Sequence, residues 1–275
     1  MGFDGSGMII AKGPRANKFE IGDDIFVRAS RSYKGTFARH ILLSEDIAAI
    51  KPVNLSYQEA ASLPLVALTT IQALEYAEAR SGQHLFINAG AGGIGSFAIQ
   101  YAKTLDLEVT VQCHRRDKAF LQSFGPDHFI FYNEENYLDS GPIFDIVYDC
   151  LGKDHTIFSF TTIKKGGTVV SIAGPPDKYF AKREKLGLAA KIFMWTMNRK
   201  VYAAAKKAGG KYFRALTRSD GDQLAALVPF LESNQIKPVI DRRFNFEQTI
   251  SALEYVKKGR SKGKVVIEIK KTKQI

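Results

Sequence analysis

Gly90-Ala91-Gly92-Gly93-Ile94-Gly95 is the stretch whose residue types and spacing could do chemistry. The spacing of its outer and central glycines is G-x-G-x-x-G. A short apolar run, Leu85-Phe86-Ile87, precedes it and reads as a buried strand. An amphipathic helix follows, with Phe97, Ala98, Tyr101 and Ala102 on its inner side. Gly90 is expected to turn the chain tightly off the strand. Gly92 leaves room for a pyrophosphate beside the backbone, and Gly95 lets the helix pack close to the sheet. The helix N-terminus then offers free N–H groups and the positive end of its dipole to a phosphate. Strand, glycine turn and helix in this order form the dinucleotide-binding fingerprint.

A second stretch selects among dinucleotides. A free ribose 2′-hydroxyl is bound by Asp or Glu at the end of the second strand. Here that place reads Gln112-Cys113-His114-Arg115-Arg116-Asp117-Lys118, with bases and no acid ending the strand. The planar fork of arginine bonds two phosphate oxygens at once. The loop therefore predicts NADPH over NADH, unless it is only a solvated run of charges.

These stretches need a scaffold, and the pattern supplies one. Glu108–Gln112, Phe129–Tyr132, Phe144–Cys150, Thr168–Ile172 and Tyr212–Leu216 read as further strands. Helices are expected over Asp117–Phe124, Lys153–Ile163 and Asp222–Ser233. This alternation predicts a doubly wound parallel sheet. Asp106 stands where a glycine usually ends the helix, a position that calls for left-handed backbone. Ahead of the sheet, Ser56-x-x-Glu59 is a capping box. Pro64 separates that helix from a second one over Thr69–Ala79. Residues 1–52 read as short strands at Gly2–Ile9, Ile21–Val27 and Gly35–Leu42. The chain closes with a helix over Glu247–Lys258 and the strand Val265–Ile269.

Composition narrows the class. With 275 residues, 45% hydrophobic and 24% charged, the chain has room for one large or two modest folded domains. No apolar run reaches membrane-spanning length. The start, MGFDGSGMII, lacks the basic and apolar regions of a secretory signal. The two cysteines, Cys113 and Cys150, are far apart, so neither a disulfide framework nor a zinc site is expected. A cytoplasmic setting follows. The net charge of +11 is local: residues 177–218 hold twelve Lys or Arg against Asp177 and Glu184, a net +10.

Several segments together resemble the medium-chain dehydrogenase/reductase superfamily, in its zinc-independent quinone oxidoreductase branch. They are Phe19–Phe26, Glu59–Pro64 with Leu68–Leu74, the Gly90–Gly95 loop, and Gly263-Lys264-Val265-Val266. The resemblance implies an α/β fold: a doubly wound parallel-sheet (Rossmann) domain plus an incomplete β-rich GroES-like catalytic domain. The expected parts are a GroES-like piece over 1–55, the nucleotide domain over 56–235 with a basic helical insertion at 177–211, and a return to the small domain over 236–275. The family's zinc branch carries Gly-His-Glu where this chain reads Gly2-Phe3-Asp4, so no metal is expected. The small domain is expected to lack the family's opening strands.

The resemblance also carries site residues. It implies Lys118 and Tyr132 beside the adenosine ribose. It implies Thr69, the turn Cys150-Leu151-Gly152, Ala173-Gly174 and Lys264 near the nicotinamide. Cys150 is expected to be a small buried residue and no nucleophile. No catalytic side chain is assigned. The implied activity is reduction of quinones or α,β-unsaturated carbonyls by hydride from NADPH. The alternative is an NADPH-binding protein without turnover, left so by its shortened catalytic domain. The implied partners are a small-molecule substrate and a second copy of the chain; no nucleic acid is expected. The basic stretch 177–218 has three readings, the weakest a nucleic-acid patch without any recognisable binding module. One is an interfacial helix pair with Phe193, Trp195 and Met197 in lipid. The favoured one is a helical lid or a dimer contact, packed against protein.

Overall fold

The computed structural model describes residues 2–30, 33, 35–141, 143–177, 180, 186–259 and 261–269, without the side chains of Tyr137 and Ser140. Contacts divide the chain into two compact units. The first comprises Met1–Leu68, Gly92–Phe97 and Thr217–Ile275; the second comprises Thr69–Ala91 and Ala98–Leu216. The expected boundaries lay after residues 55 and 235.

The second unit is built on six parallel strands. They are β4 (His84–Ile87), β5 (Glu108–Cys113), β6 (His128–Phe131), β7 (Phe144–Asp149), β8 (Ile163–Ser171) and β9 (Lys211–Arg214). Their spatial order is β6-β5-β4-β7-β8-β9. From β4 the chain builds outward first on one side and then on the other. This is the doubly wound Rossmann order, whose switch point lies between β4 and β7. The central strands are apolar because both their faces are covered. Phe86 and Phe144 are fully buried, their rings stacked at 4.9 Å. Asp106 takes φ of 54°, the left-handed turn its position called for.

The first unit holds three antiparallel strands in the order β1-β2-β3, with β1 Asp4–Met8, β2 Asp24–Arg28 and β3 Ala48–Ile50. A separate parallel pair joins β10 (Ile240–Asn245) to β11 (Lys264–Glu268). Phe19, Val27, Ile47 and Ala48 form a core cluster there. Ser56 caps α1 (Tyr57–Ala61) through the expected box with Glu59. The next helix, α2 (Pro64–Tyr76), begins at Pro64 rather than near Thr69. Proline suits a first helical position because the N–H it lacks would have no partner.

Some local expectations fail. Gly35–Leu42 forms no strand. Thr36 N–H donates to Gly2 O and its hydroxyl to Asp4 O, while Ala38 N–H turns back on Thr36 O. Ala48–Ile50, an unassuming Ala-Ala-Ile, takes the third place in that sheet instead. In the second unit the helix expected to end at Ile163 stops at Phe158, and β8 starts at Ile163. Residues 164–167 bulge between the pairs Phe144–Ile163 and Ile146–Thr168, and Gly166 allows this at φ 85°.

Candidate functional site

The glycine turn leaves β4 through Asn88 and Ala89. The left-handed residue is Ala89, at φ 57°, whereas Gly90 is not left-handed. Gly90 is required for another reason: a Cβ there would lie 2.0 Å from Val111 Cγ2. Its N–H donates to Gln112 O at 2.9 Å, laying the turn flat against β5. Ala91 follows, and α3 (Gly93–Thr104) starts at once. Ile94 and Gly95 lie in its first turn, whose N–H groups have no partner within the helix. In the first unit, Gly92 forms a parallel bridge with Gly263, and a Cβ on Gly93 would lie 3.1 Å from Gly263 O.

The ends of β5 and β6 gather the basic residues. His114 caps a short 3-10 turn over Arg115–Asp117, its Nδ1 accepting from Arg116 N–H at 3.2 Å. Tyr132 lies just past β6, half exposed, edge-on to the His114 ring at 5.6 Å. Lys118 Nζ lies 5.7 Å and 6.0 Å from the ring centres of Phe129 and Phe131. Arg115 stacks over Phe131 at 4.2 Å, and its guanidinium pairs with Glu134. That hydrogen bond raises the Arg115 pKa further and lowers that of Glu134. Arg116 is differently placed: two-thirds of its side chain is exposed, and its contact with Asp117 is 4.0 Å long. His114, Arg115, Arg116, Lys118 and Tyr132 thus come together, with Arg115 already holding a carboxylate.

The ends of β4, β7 and β8 are tied by one buried carboxylate that the sequence reading did not single out, Asp149. Its Oδ1 accepts from Asn88 Nδ2 at 3.0 Å, Leu151 N–H at 3.0 Å and Gly152 N–H at 2.9 Å. Its Oδ2 accepts from Ser171 Oγ at 2.7 Å and from the Thr156 hydroxyl. Asn88 Oδ1 in turn accepts from Cys150 N–H at 2.6 Å. Ser171 Oγ accepts from Gly174 N–H at 2.7 Å and Ala173 N–H at 3.2 Å. Gly152, at φ 70°, fits because a Cβ would lie 2.4 Å from Ala173 O. The turns 150–152 and 173–174 are therefore fixed against each other. Burial alone would raise the Asp149 pKa; the bonds from Thr156, Asn88, Gly152 and Ser171 outweigh it and hold the carboxyl below its usual range. An acid closing the apolar run Phe144–Asp149 was the available signal.

Cys150 is no activated thiol. Burial, then the Asp149 charge, pushes its pKa well up. Thr69 is buried within α2. In the first unit, Lys264 Nζ lies 3.1 Å from Asp4 Oδ2, and Asp4 Oδ1 accepts from Leu65 N–H at 2.8 Å. Burial raises the Asp4 pKa against the opposing pull of Lys264.

Within the second unit, cations at the end of β5 and the two ordered turns after β7 and β8 suit a phosphorylated dinucleotide. The zinc-binding dehydrogenase family matches residues 124–267, just over half of the chain. The chain belongs to that family. Through it the chain falls in the medium-chain dehydrogenase/reductase superfamily. A 2-methylene-furan-3-one reductase of Solanum lycopersicum is 33% identical over 97% of this chain and 62% of its own length. An NADPH-dependent alkenal/one oxidoreductase of Arabidopsis thaliana chloroplasts is 28% identical over 97% of this chain and 63% of its own. The chain thus spans less than two thirds of both relatives. Among solved structures, a quinone oxidoreductase from Coxiella burnetii superposes with a TM-score of 0.79 at 30% identity, covering 98% of this chain and 79% of that one.

Zinc is the metal in the family's name. Among the described residues, no three His, Cys, Asp or Glu side chains stand together as a metal site. His84 is bonded to Thr110 and His128 to Glu108, while Cys113 is buried with its pKa pushed up to about 11 by burial and then by Asp117.

Proposed function

We propose that this member of the family is an NADPH-dependent, zinc-free reductase of quinones or α,β-unsaturated carbonyls. The observation that carries this reading is the cation cluster at the end of β5, a strand that closes on Gln112-Cys113-His114 rather than on an acid. The activities for which the tomato, Arabidopsis and Coxiella relatives are named support the substrate class.

In this reading the start of α3 binds the pyrophosphate. His114, Arg116 and Lys118 meet the 2′-phosphate, and Tyr132 borders the adenosine. The Asp149 clamp orients residues 150–152 and 173–174 against the nicotinamide, with Thr69 as a further candidate. When bound, the cofactor supplies a hydride to the conjugated system, and water supplies the balancing proton. No side chain needs to act as a nucleophile. The β-rich first unit is proposed as the GroES-like catalytic part.

Titrating the protein into NADPH, following nicotinamide fluorescence, and then adding a quinone and an enone tests the proposal. Binding followed by NADPH consumption supports it. Binding without consumption leaves a nucleotide-binding protein without turnover; no binding by folded protein removes the reading altogether. A cytoplasmic location and a homodimer are further proposals. Free Cys113 and Cys150 support the first, and the edge strands β6 and β9 offer backbone for the second. Cell fractionation and light scattering check them.

A further inference from the structure

The basic stretch contains a largely exposed helix. Parts of the stretch, 178, 179 and 181–185, lie outside the described residues. Within the rest, the helix Leu188–Met197 has no buried residue. Leu188 is 72% exposed, Phe193 64%, Trp195 61% and Met197 68%, and Ile192 is exposed as well. At helical spacing Ala190 and Met194, the half-buried positions, share one side. Leu188, Ile192 and Trp195 lie on the opposite side, and Phe193 on a flank between the two.

The base of this helix is firm. Asn198, buried where the helix ends, donates from Nδ2 to Pro176 O and accepts at its carbonyl from Tyr202 N–H. The next helix, Arg199–Ala208, sinks Val201 and Ala205 into the core cluster that includes Phe160 and Tyr212. Its exposed charges are Arg199, Lys200, Lys206 and Lys207. With Lys191, the span 188–208 holds five cations and no acid.

We propose that this helix pair docks the protein on an anionic lipid surface. Contiguous exposed apolar side chains mark an interaction face rather than ordinary surface scatter. Cations beside an aromatic and aliphatic helix face are what an interfacial helix uses: the apolar chains enter the acyl boundary while Lys and Arg meet anionic headgroups. A second copy of the chain is a poorer occupant. A twofold contact through this face would set one all-basic span against another.

Trp195 is the only tryptophan of the chain, so its emission reports on this face directly. The assay uses the whole protein with vesicles of phosphatidylcholine containing about a third phosphatidylserine, and with pure phosphatidylcholine. It contains no nucleotide or substrate, so its outcome is independent of the proposed reductase activity. The expected result is a blue shift of Trp195, quenching by brominated lipid, and flotation with the anionic vesicles that salt reverses. Lys206→Glu with Lys207→Glu should lower partitioning by about tenfold or more. Phe193→Asp should abolish the blue shift. These side chains are exposed, and circular dichroism confirms that the variants fold. No flotation at low salt overturns the proposal, as does equal binding to both vesicle types. A blue shift that grows with protein concentration in the absence of lipid, together with no flotation, assigns the face to a second copy and also overturns it.

Discussion

Asp149 shows how much one side chain can set at the switch point. Its two oxygens receive hydrogen bonds from both flanking strands and from the turn they shape. Asp149→Asn puts an amide donor where only donors converge. The expected loss is about 3 kcal/mol, read by urea unfolding. The pH dependence has a definite sign. The folded pKa is held below the ordinary 3.8, so the unfolded chain takes up the proton first. This stability is present above pH 3.8 and is lost as pH falls through the folded value. Acid unfolding of Asp149→Asn should therefore be shallower than wild type in that window. The cations proposed to meet the 2′-phosphate give a second prediction. Arg116→Glu should raise the Kd for NADPH about tenfold or more while moving NADH by about twofold at most. Glu134→Gln frees Arg115 from its carboxylate and should tighten NADPH specifically. Equal losses for both nucleotides would sink the 2′-phosphate assignment.

Elements carry their own tests. The turn from β4 into α3 is set by contact with β5 as much as by backbone freedom. Gly90→Ala drives a methyl onto Val111, which is fully buried. Such overpacking costs about 1–3 kcal/mol and should displace the turn. Adding Val111→Ala opens the space, so the double variant should be less destabilised than the two single losses summed, by about 1 kcal/mol in a thermal-unfolding cycle. A double variant no better than additive would mean that the turn relaxes by another route. At α1, Ser56 Oγ and the Glu59 carboxylate satisfy each other's backbone N–H groups. The bonds from Ser56 lower the Glu59 pKa. Ser56→Ala should cost about 1 kcal/mol, a fall in Tm of roughly 2–4 °C by calorimetry.

At the scale of the whole molecule, zinc-free action makes a simple statement. Dialysis against a strong chelator should leave Tm and NADPH consumption unchanged, and elemental analysis of the purified protein should find far less than one zinc per chain. Stoichiometric zinc lost together with activity would overturn that part of the proposal. The scaffold makes metal-free action chemically reasonable, because a nicotinamide cofactor carries the hydride and the protein supplies position and field.

The amino-acid sequence by itself determined the parallel sheet. Runs such as Leu85–Ile87 and Phe144–Asp149 bury both faces, and that demand is written in consecutive residues. It also determined the Ser56 cap, the left-handed Asp106 and the basic loop after β5, each a matter of a few neighbouring residues. Tertiary structure decided what depends on distant partners. Asn88, Thr156 and Ser171 meet Asp149 from separate segments, so no local pattern announces the clamp. Ala89 carries no sign of its positive φ, because packing around the turn imposes it. Gly35–Leu42 reads as a strand, yet Thr36 is drawn to Gly2 and Asp4. The run Leu188–Met197 is apolar and asks for cover, yet its helix has no buried residue. Apolar periodicity states that a face seeks cover; what covers it is settled by the rest of the fold or by what lies outside the chain.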